Sequence, residues 1–153
     1  MAKIVILGIE GLKDWVGKEV ALSDWLTVTQ EHIDEFADAT FDDQWIHVDR
    51  ERAARESPYR TTVAHGFLTL SLLPHFFKEA VDIRGARMGI NYGLNRVRFT
   101  APVPCGSRVR ARFRLASAED IEQGVQMVWN VAVEIEGADK PALVAEWITR
   151  RHA

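Results

Sequence analysis

His65-Gly66-Phe67-Leu68-Thr69-Leu70-Ser71-Leu72-Leu73-Pro74-His75-Phe76-Phe77 is the stretch that decides the fold. Its apolar residues, Phe67, Leu68, Leu70, Leu72, Leu73, Phe76 and Phe77, leave no clean polar face around a helix. A helix apolar nearly all round is buried on nearly all sides. Pro74 has no N–H to give the carbonyl of Leu70, so the helix is expected to kink or end there. Something else in the chain must wrap it.

The second half supplies the wrapping. From Arg108 to Ala116 the residues Val109, Ala111, Phe113 and Leu115 alternate with Arg108, Arg110, Arg112 and Arg114. Val125, Met127, Trp129, Val131, Val133 and Ile135 form another period-two face. Asn95 to Ala101 puts Val97 and Phe99 on one side, and Leu143 to Arg150 gives a last strand. Turn residues separate them at Pro102 to Gly106, Glu119 to Gly124 and Gly137 to Pro141. Such alternation predicts an antiparallel sheet with one face on the core. The expected fold class is α+β, a curved antiparallel sheet around one buried helix.

Upstream, Ile4 to Leu7 reads as an edge strand or ordered arm and Val20 to Trp25 as a short strand. Thr27 or Thr29 can cap a helix carrying Ile33, Phe36 and Ala37 on one face, and Thr40-Phe41-Asp42-Asp43 ends it. A second short helix starts from Asp49 and is broken by Ser57-Pro58.

With 153 residues, at about 100–200 residues per domain, residues 1–153 are expected to form a single domain. A formal net charge of -3 excludes a whole-protein basic field for nucleic acid. No apolar run approaches the roughly 20 residues of a membrane span. The opening Met1 to Gly8 is too short and lacks the small-residue cleavage site of a signal peptide. Cys105, the one cysteine, supports neither an internal disulfide nor a cysteine-type zinc site, and the expected setting is the cytoplasm. Gly8-Ile9-Glu10-Gly11 is not a dinucleotide fingerprint, and no Walker lysine motif follows.

Two short stretches can carry chemistry. In Asp42-Asp43-Gln44-Trp45-Ile46-His47 a carboxylate and an imidazole lie five residues apart after a helix end. A loop can fold them toward one point, where together they hold a water. The same residues serve equally as capping and surface groups. In Val63-Ala64-His65-Gly66-Phe67 a helix begins with free N–H groups that can receive a carbonyl oxygen, and glycine permits close approach. Alternatively Gly66 serves only tight packing, with His65 a satisfied, partly buried histidine. His32, His75 and His152 have no carboxylate constellation. The arginines at 108–114 fit the solvated back of a sheet better than a phosphate site. Cys105 lacks an activating environment.

In combination these stretches resemble the MaoC-like family. Asp42 to His47 resembles its hydratase motif, Asp-x-Asn-Pro-x-His, with Gln44 and Trp45 in place of Asn and Pro. Ala64-His65-Gly66 resembles the Ala-His-Gly entering that family's central helix, and Asn95-Arg96-Val97-Arg98-Phe99-Thr100-Ala101-Pro102-Val103 its Arg-Phe-x-x-Pro-Val strand. Phe41 and Arg60 stand where that family often has glycine. The Gln-Trp form is similar to the NodN-like subgroup. The resemblance implies a hot-dog fold and a homodimer or higher even oligomer. It implies hydration of trans-2-enoyl thioesters, on CoA or a carrier protein, to (R)-3-hydroxyacyl thioesters, or the reverse dehydration. Carried over, Asp42 and His47 activate the water and the Gly66 N–H receives the thioester carbonyl. Which of Asp42 and His47 is base and which acid stays open. No cofactor, metal, nucleic acid or membrane is expected. A hot-dog thioesterase and a non-catalytic acyl-thioester binding module are the competing readings.

Overall fold

The helical stretch at the centre of the chain is interrupted as Pro74 requires. In the computed structural model, which describes residues 3–153, helix α5 (Gly66–Ser71) gives way at Leu72 to α6 (Leu73–Ala80). Pro74 occupies the first turn of α6, where a missing N–H costs nothing. Leu68, Leu73, Phe76 and Phe77 are buried. Phe67, by contrast, is 64% exposed, and Leu70 and Leu72 are half-buried. The expectation of burial on nearly all sides is therefore corrected: one flank of the helix faces outward.

Preceding these elements are β1 (Ile4–Leu7), α1 (Gly8–Lys13), β2 (Glu19–Leu22), β3 (Leu26–Thr27), α2 (Gln30–Thr40), α3 (Trp45–Val48) and α4 (Arg50–Glu56). After them come β4 (Val81–Arg84), β5 (Met88–Arg98), β6 (Arg108–Ile121), β7 (Gly124–Ile135) and β8 (Leu143–His152). The main sheet runs β2-β6-β7-β8-β5, with β3 also pairing β6, and every pairing is antiparallel. Period two holds along it: Val109, Ala111, Phe113 and Leu115 are fully buried, as are Val125, Met127 and Trp129. Phe77 of α6 meets Trp129 edge to face at 4.9 Å and Phe113 at 5.3 Å. That aromatic cluster fastens the helix into the curve of the sheet.

The arginines of β6 lie on the outer face. Arg108 bonds Glu136, Arg110 and Arg112 share Glu134, and Arg112 also reaches Glu19. They form the ion-paired back of the sheet.

Several strand boundaries differ from the sequence reading: Glu119 to Ile121, read as turn, continue β6, and β8 runs on to His152. β5 begins at Met88, well before Asn95, because Gly89, Asn91, Gly93 and Asn95 obscure the strand pattern. Phe99 lies past its end, half exposed rather than facing the core. The segment read as Val20 to Trp25 divides into β2 and β3, separated by a break over 23–25 where Ser23 Oγ accepts from the Ala111 N–H. The arm β1 pairs in parallel with β4, which sequence patterning did not show. Of the opening stretch, Met1 and Ala2 lie outside the described residues.

Candidate active site

The Thr29 hydroxyl accepts from the His32 N–H and fixes the start of α2. At its other end Phe41 takes a left-handed conformation, φ 64°, and turns the chain so that Asp42 leads into α3. Outside glycine that conformation costs roughly 1–2 kcal/mol. Arg60 is the second case, φ 61°. Both stand where the resembling motif commonly carries glycine, and the backbone explains that preference. Sequence reading places Asp42 and His47 together in a loop. The structure leaves Asp42 there, exposed, but sets His47 on the single turn of α3, buried.

His47 Nδ1 lies 2.7 Å from the carbonyl oxygen of Val63. A carbonyl only accepts, so Nδ1 carries the hydrogen and Nε2 keeps a free lone pair. The Gln30 amide donates to the His47 carbonyl at 2.8 Å and accepts from the Thr62 hydroxyl, tying α2, α3 and the approach to α5 together. Burial pushes the His47 imidazole below its ordinary range; neighbouring His65 adds to this, and the Val63 carbonyl and Asp42 oppose it without reversing it. His47 is thus a neutral acceptor at neutral pH.

His65 has a larger part than its sequence context suggests. It is 2% exposed, its Nε2–H donates to the Asp42 carbonyl at 2.8 Å, and its ring stacks on His47 at 3.8 Å. Its Nδ1 is buried with no hydrogen-bond partner among the described residues. One histidine therefore holds the backbone that presents the Asp42 carboxylate and also supports the other imidazole. Gln30 and His65 are the residues that sequence reasoning missed here. The Ala-His-Gly run carried the only signal for His65, and nothing local carried one for Gln30.

An Asp42 carboxylate oxygen and ring nitrogens of His47 and His65 lie within 4.8 Å of one another. The two imidazole planes are only 21° apart. Because lone pairs lie in the ring planes, an ion held at about 2.0–2.1 Å from both nitrogens would sit well out of at least one plane. A water, bonded at about 2.7–3.0 Å, spans the gap between carboxylate and imidazole without that conflict.

Gly66 opens α5, so its N–H has no partner within the helix. The Ala64 N–H donates to Val103 at 2.8 Å, and Val63 bridges Pro104. The Phe99 ring covers Gly66 so closely that an added Cβ would meet it at 2.8 Å. The three sequence motifs are thereby laced into one place. Phe41 and Phe67 are exposed and Phe99 half exposed, with Phe67 edge-on to Phe99 at 5.6 Å.

Other candidates do not join this group. His32 is exposed, and His75 pairs with Glu79 at 3.2 Å. Cys105 is a half-buried free thiol, and Arg52 covers the Trp45 ring.

A curved antiparallel sheet around a central helix defines a hot-dog protein. The same fold is seen in the (R)-hydratase from A. caviae involved in PHA biosynthesis, 19% identical, with a TM-score of 0.69 over 88% of this chain and 94% of that one. Within the fold, the chain belongs to the MaoC-like dehydratase family, a family of lyases: the MaoC like domain matches residues 12–136. It is 56% identical over 135 residues to 3-hydroxyacyl-thioester dehydratase Z of Mycobacterium tuberculosis, covering 88% of this chain and 89% of the relative. It is 51% identical over 147 residues to nodulation protein N of Rhizobium leguminosarum bv. viciae, covering 94% and 90%.

Proposed function

We propose that the chain hydrates trans-2-enoyl thioesters to (R)-3-hydroxyacyl thioesters, or runs the reverse dehydration, with Asp42 and His47 as catalytic residues. The observation that carries this reading is His47, its Nδ1 held by the Val63 carbonyl, beside the Asp42 carboxylate at the start of the central helix.

The chemistry follows from these groups. The Gly66 N–H receives the thioester carbonyl and stabilises charge as it develops on that oxygen. Asp42 accepts one hydrogen of the water and orients it. His47 Nε2 takes the other as the water oxygen bonds to C3, then returns that proton to C2 on the same face. One O–H bond and the C2–C3 π bond break, and a C–O and a C–H bond form. Such acid–base assistance contributes about 10²–10⁴-fold. Neither a redox step nor an electron acceptor enters this balance.

The whole chain acts as one domain in a homodimer or larger even oligomer, in the cytoplasm. Support for the oligomer comes from β5, which among the described residues pairs only with β8 and leaves its other edge open. Met88, Ile90, Tyr92 and Leu94 are exposed along it, and an open apolar edge invites pairing. Sedimentation of a monomer at micromolar concentration would remove that part of the reading. Lone Cys105, a free thiol, is the support for a reducing compartment.

Incubation with crotonyl-CoA tests the activity. Loss of the enoyl absorbance without free thiol is the expected result. Release of thiol identifies a thioesterase, and loss of neither signal with retained binding identifies an acyl-thioester binding module.

A further inference from the structure

One turn beyond the start of α5, two cavities follow the exposed flank of the central helix, between the helix and β5. The nearer is a cavity of about 350 Å³ floored by Leu70, Leu73 and Leu94. At the far end is a second cavity of about 380 Å³, between α6, β4 and the first residues of β5. The two share Pro74, Asn91 and Trp147 and so adjoin along the helix. At about 1.5 Å of rise per helical residue, the twelve positions from Gly66 to Lys78 span roughly 18 Å. That suits an extended long-chain acyl group.

The far end is not apolar. Ala145, Trp147, Thr149 and Arg151 follow one another on the inward face of β8, so the row of core residues ends in a guanidinium. Arg151 is half-buried and lies directly on the backbone of Gly89, where a Cβ would stand 2.9 Å from its Nη1. The Phe77 ring lies 5.7 Å from its guanidinium. Among the described residues Arg151 makes no hydrogen bond and no ion pair. The one carboxylate lining the cavity, Asp82, is bonded to Arg84 at 3.1 Å. Lys3 and Lys78 line the same cavity, so cations outnumber carboxylates there. Burial pushes the guanidinium below its usual range, with Asp82 opposing, as expected of a cation stripped of water without a direct partner. On the outer face of the same sheet, Arg108, Arg110 and Arg112 each hold a glutamate.

We propose that these cavities take acyl chains ending in an anionic group, and that Arg151 receives the distal carboxylate. The proposal rests on the hydratase reading for the thioester end and extends it to the class of acyl chain. It makes Arg151 a specificity-determining residue: a methyl terminus leaves the guanidinium desolvated and unpaired, whereas a carboxylate gives it a charge-assisted bond. Phosphates of the CoA moiety are the competing source of negative charge.

Two measurements test the proposal. The first compares long-chain trans-2-enoyl-CoA thioesters ending in a carboxylate with methyl-terminated counterparts of equal length, as a ratio of kcat/KM. The carboxylate chain should be preferred, and Arg151→Met should lower that ratio by about tenfold or more. Arg151→Lys, which keeps the charge on a shorter reach, should lower it less; circular dichroism shows whether each variant is folded. The second measures calorimetric binding of saturated long-chain pantetheine thioesters of both kinds, which carry no CoA phosphates and cannot react. A preference for the carboxylate chain that disappears in Arg151→Met supports the proposal even if no enoyl thioester is turned over, in which case only the hydratase reading fails. An equal ratio in wild type and both variants overturns the proposal. So does a loss in Arg151→Met that appears with CoA thioesters and is absent with pantetheine thioesters, because the guanidinium then serves phosphate.

Discussion

At the start of α5 two imidazoles are buried, each with one ring nitrogen bonded to one backbone carbonyl. On the outer face of the sheet Arg108, Arg110 and Arg112 stand partly in water and share Glu19, Glu134 and Glu136. In the first region each group has a single directional bond in a dry setting, so the bond fixes a tautomer and an orientation. In the second the bonds are several, screened and exchangeable for water. Buried polar groups carry consequences out of proportion to their number, because a lost partner is not replaced by solvent. Exposed ion pairs contribute little singly. The site lies where the chain has the fewest alternatives.

The sharpest way to break this comparison is at the proposed acid–base pair. Asp42→Asn and His47→Ala are each expected to lower hydration of crotonyl-CoA by about 10²–10⁴-fold in protein that circular dichroism shows folded. Asp43→Asn, exposed beside them, is expected to be much milder. Equal damage from Asp43→Asn would reassign the carboxylate.

Gly66→Val probes the helix start through its neighbour. The new Cβ meets the Phe99 ring at 2.8 Å, and such crowding costs about 1–3 kcal/mol. In a Phe99→Ala background stability should recover while turnover stays low, because the N–H we propose to receive the carbonyl is still obstructed. Full recovery of activity in the double variant would leave Gly66 a packing residue only.

The acid limb of the pH profile reports the burial of His47. Its pKa lies below the ordinary imidazole value of about 6.5, so kcat/KM should hold as pH falls through that value and decline only beneath the lowered one. Stability follows the same sign. The unfolded chain takes up the proton first, so the His47 contribution is complete above about pH 6.5 and is lost as pH falls toward the folded value. A decline centred above the ordinary value would mean that another group is read.

Phe41→Gly should raise stability by about 1 kcal/mol, the left-handed strain outweighing glycine's greater freedom in the unfolded chain. A urea midpoint measures it. The smallest effect is expected on the outer face, where Glu134→Gln should cost about 0–1 kcal/mol, less in high salt, with crotonyl-CoA hydration unchanged. A larger, salt-independent loss there would erase the contrast between the two regions.

Much of the fold was legible because its signals are local. Alternation along β6 and β7 marks each strand and its inner face without reference to any partner. Thr29 and Asp49 mark helix starts because each side chain bonds a backbone N–H three residues on. Less legible was β5, whose glycines and asparagines hide its period. The outward flank at Phe67 was less legible because hydrophobicity alone does not say which apolar residues of a helix the rest of the chain covers. Within the site, Asp42, His47 and Gly66 were visible as motif members, whereas His65 and Gln30 act through groups 17 to 32 residues away.

The sequence by itself determined the α+β layering, the central helix with its break near Pro74, and the residue types that meet at the helix start, since periodicity and side-chain chemistry are properties of short segments. Only the tertiary structure decided that Val63 and Asp42 present their carbonyls to two stacked histidines, leaving His47 Nε2 free. It alone decided that Arg151, one cation among many in the chain, ends an inward row beside a carboxylate already held by Arg84. A proton's position and a charge's environment depend on which backbone and which side chains arrive from distant segments.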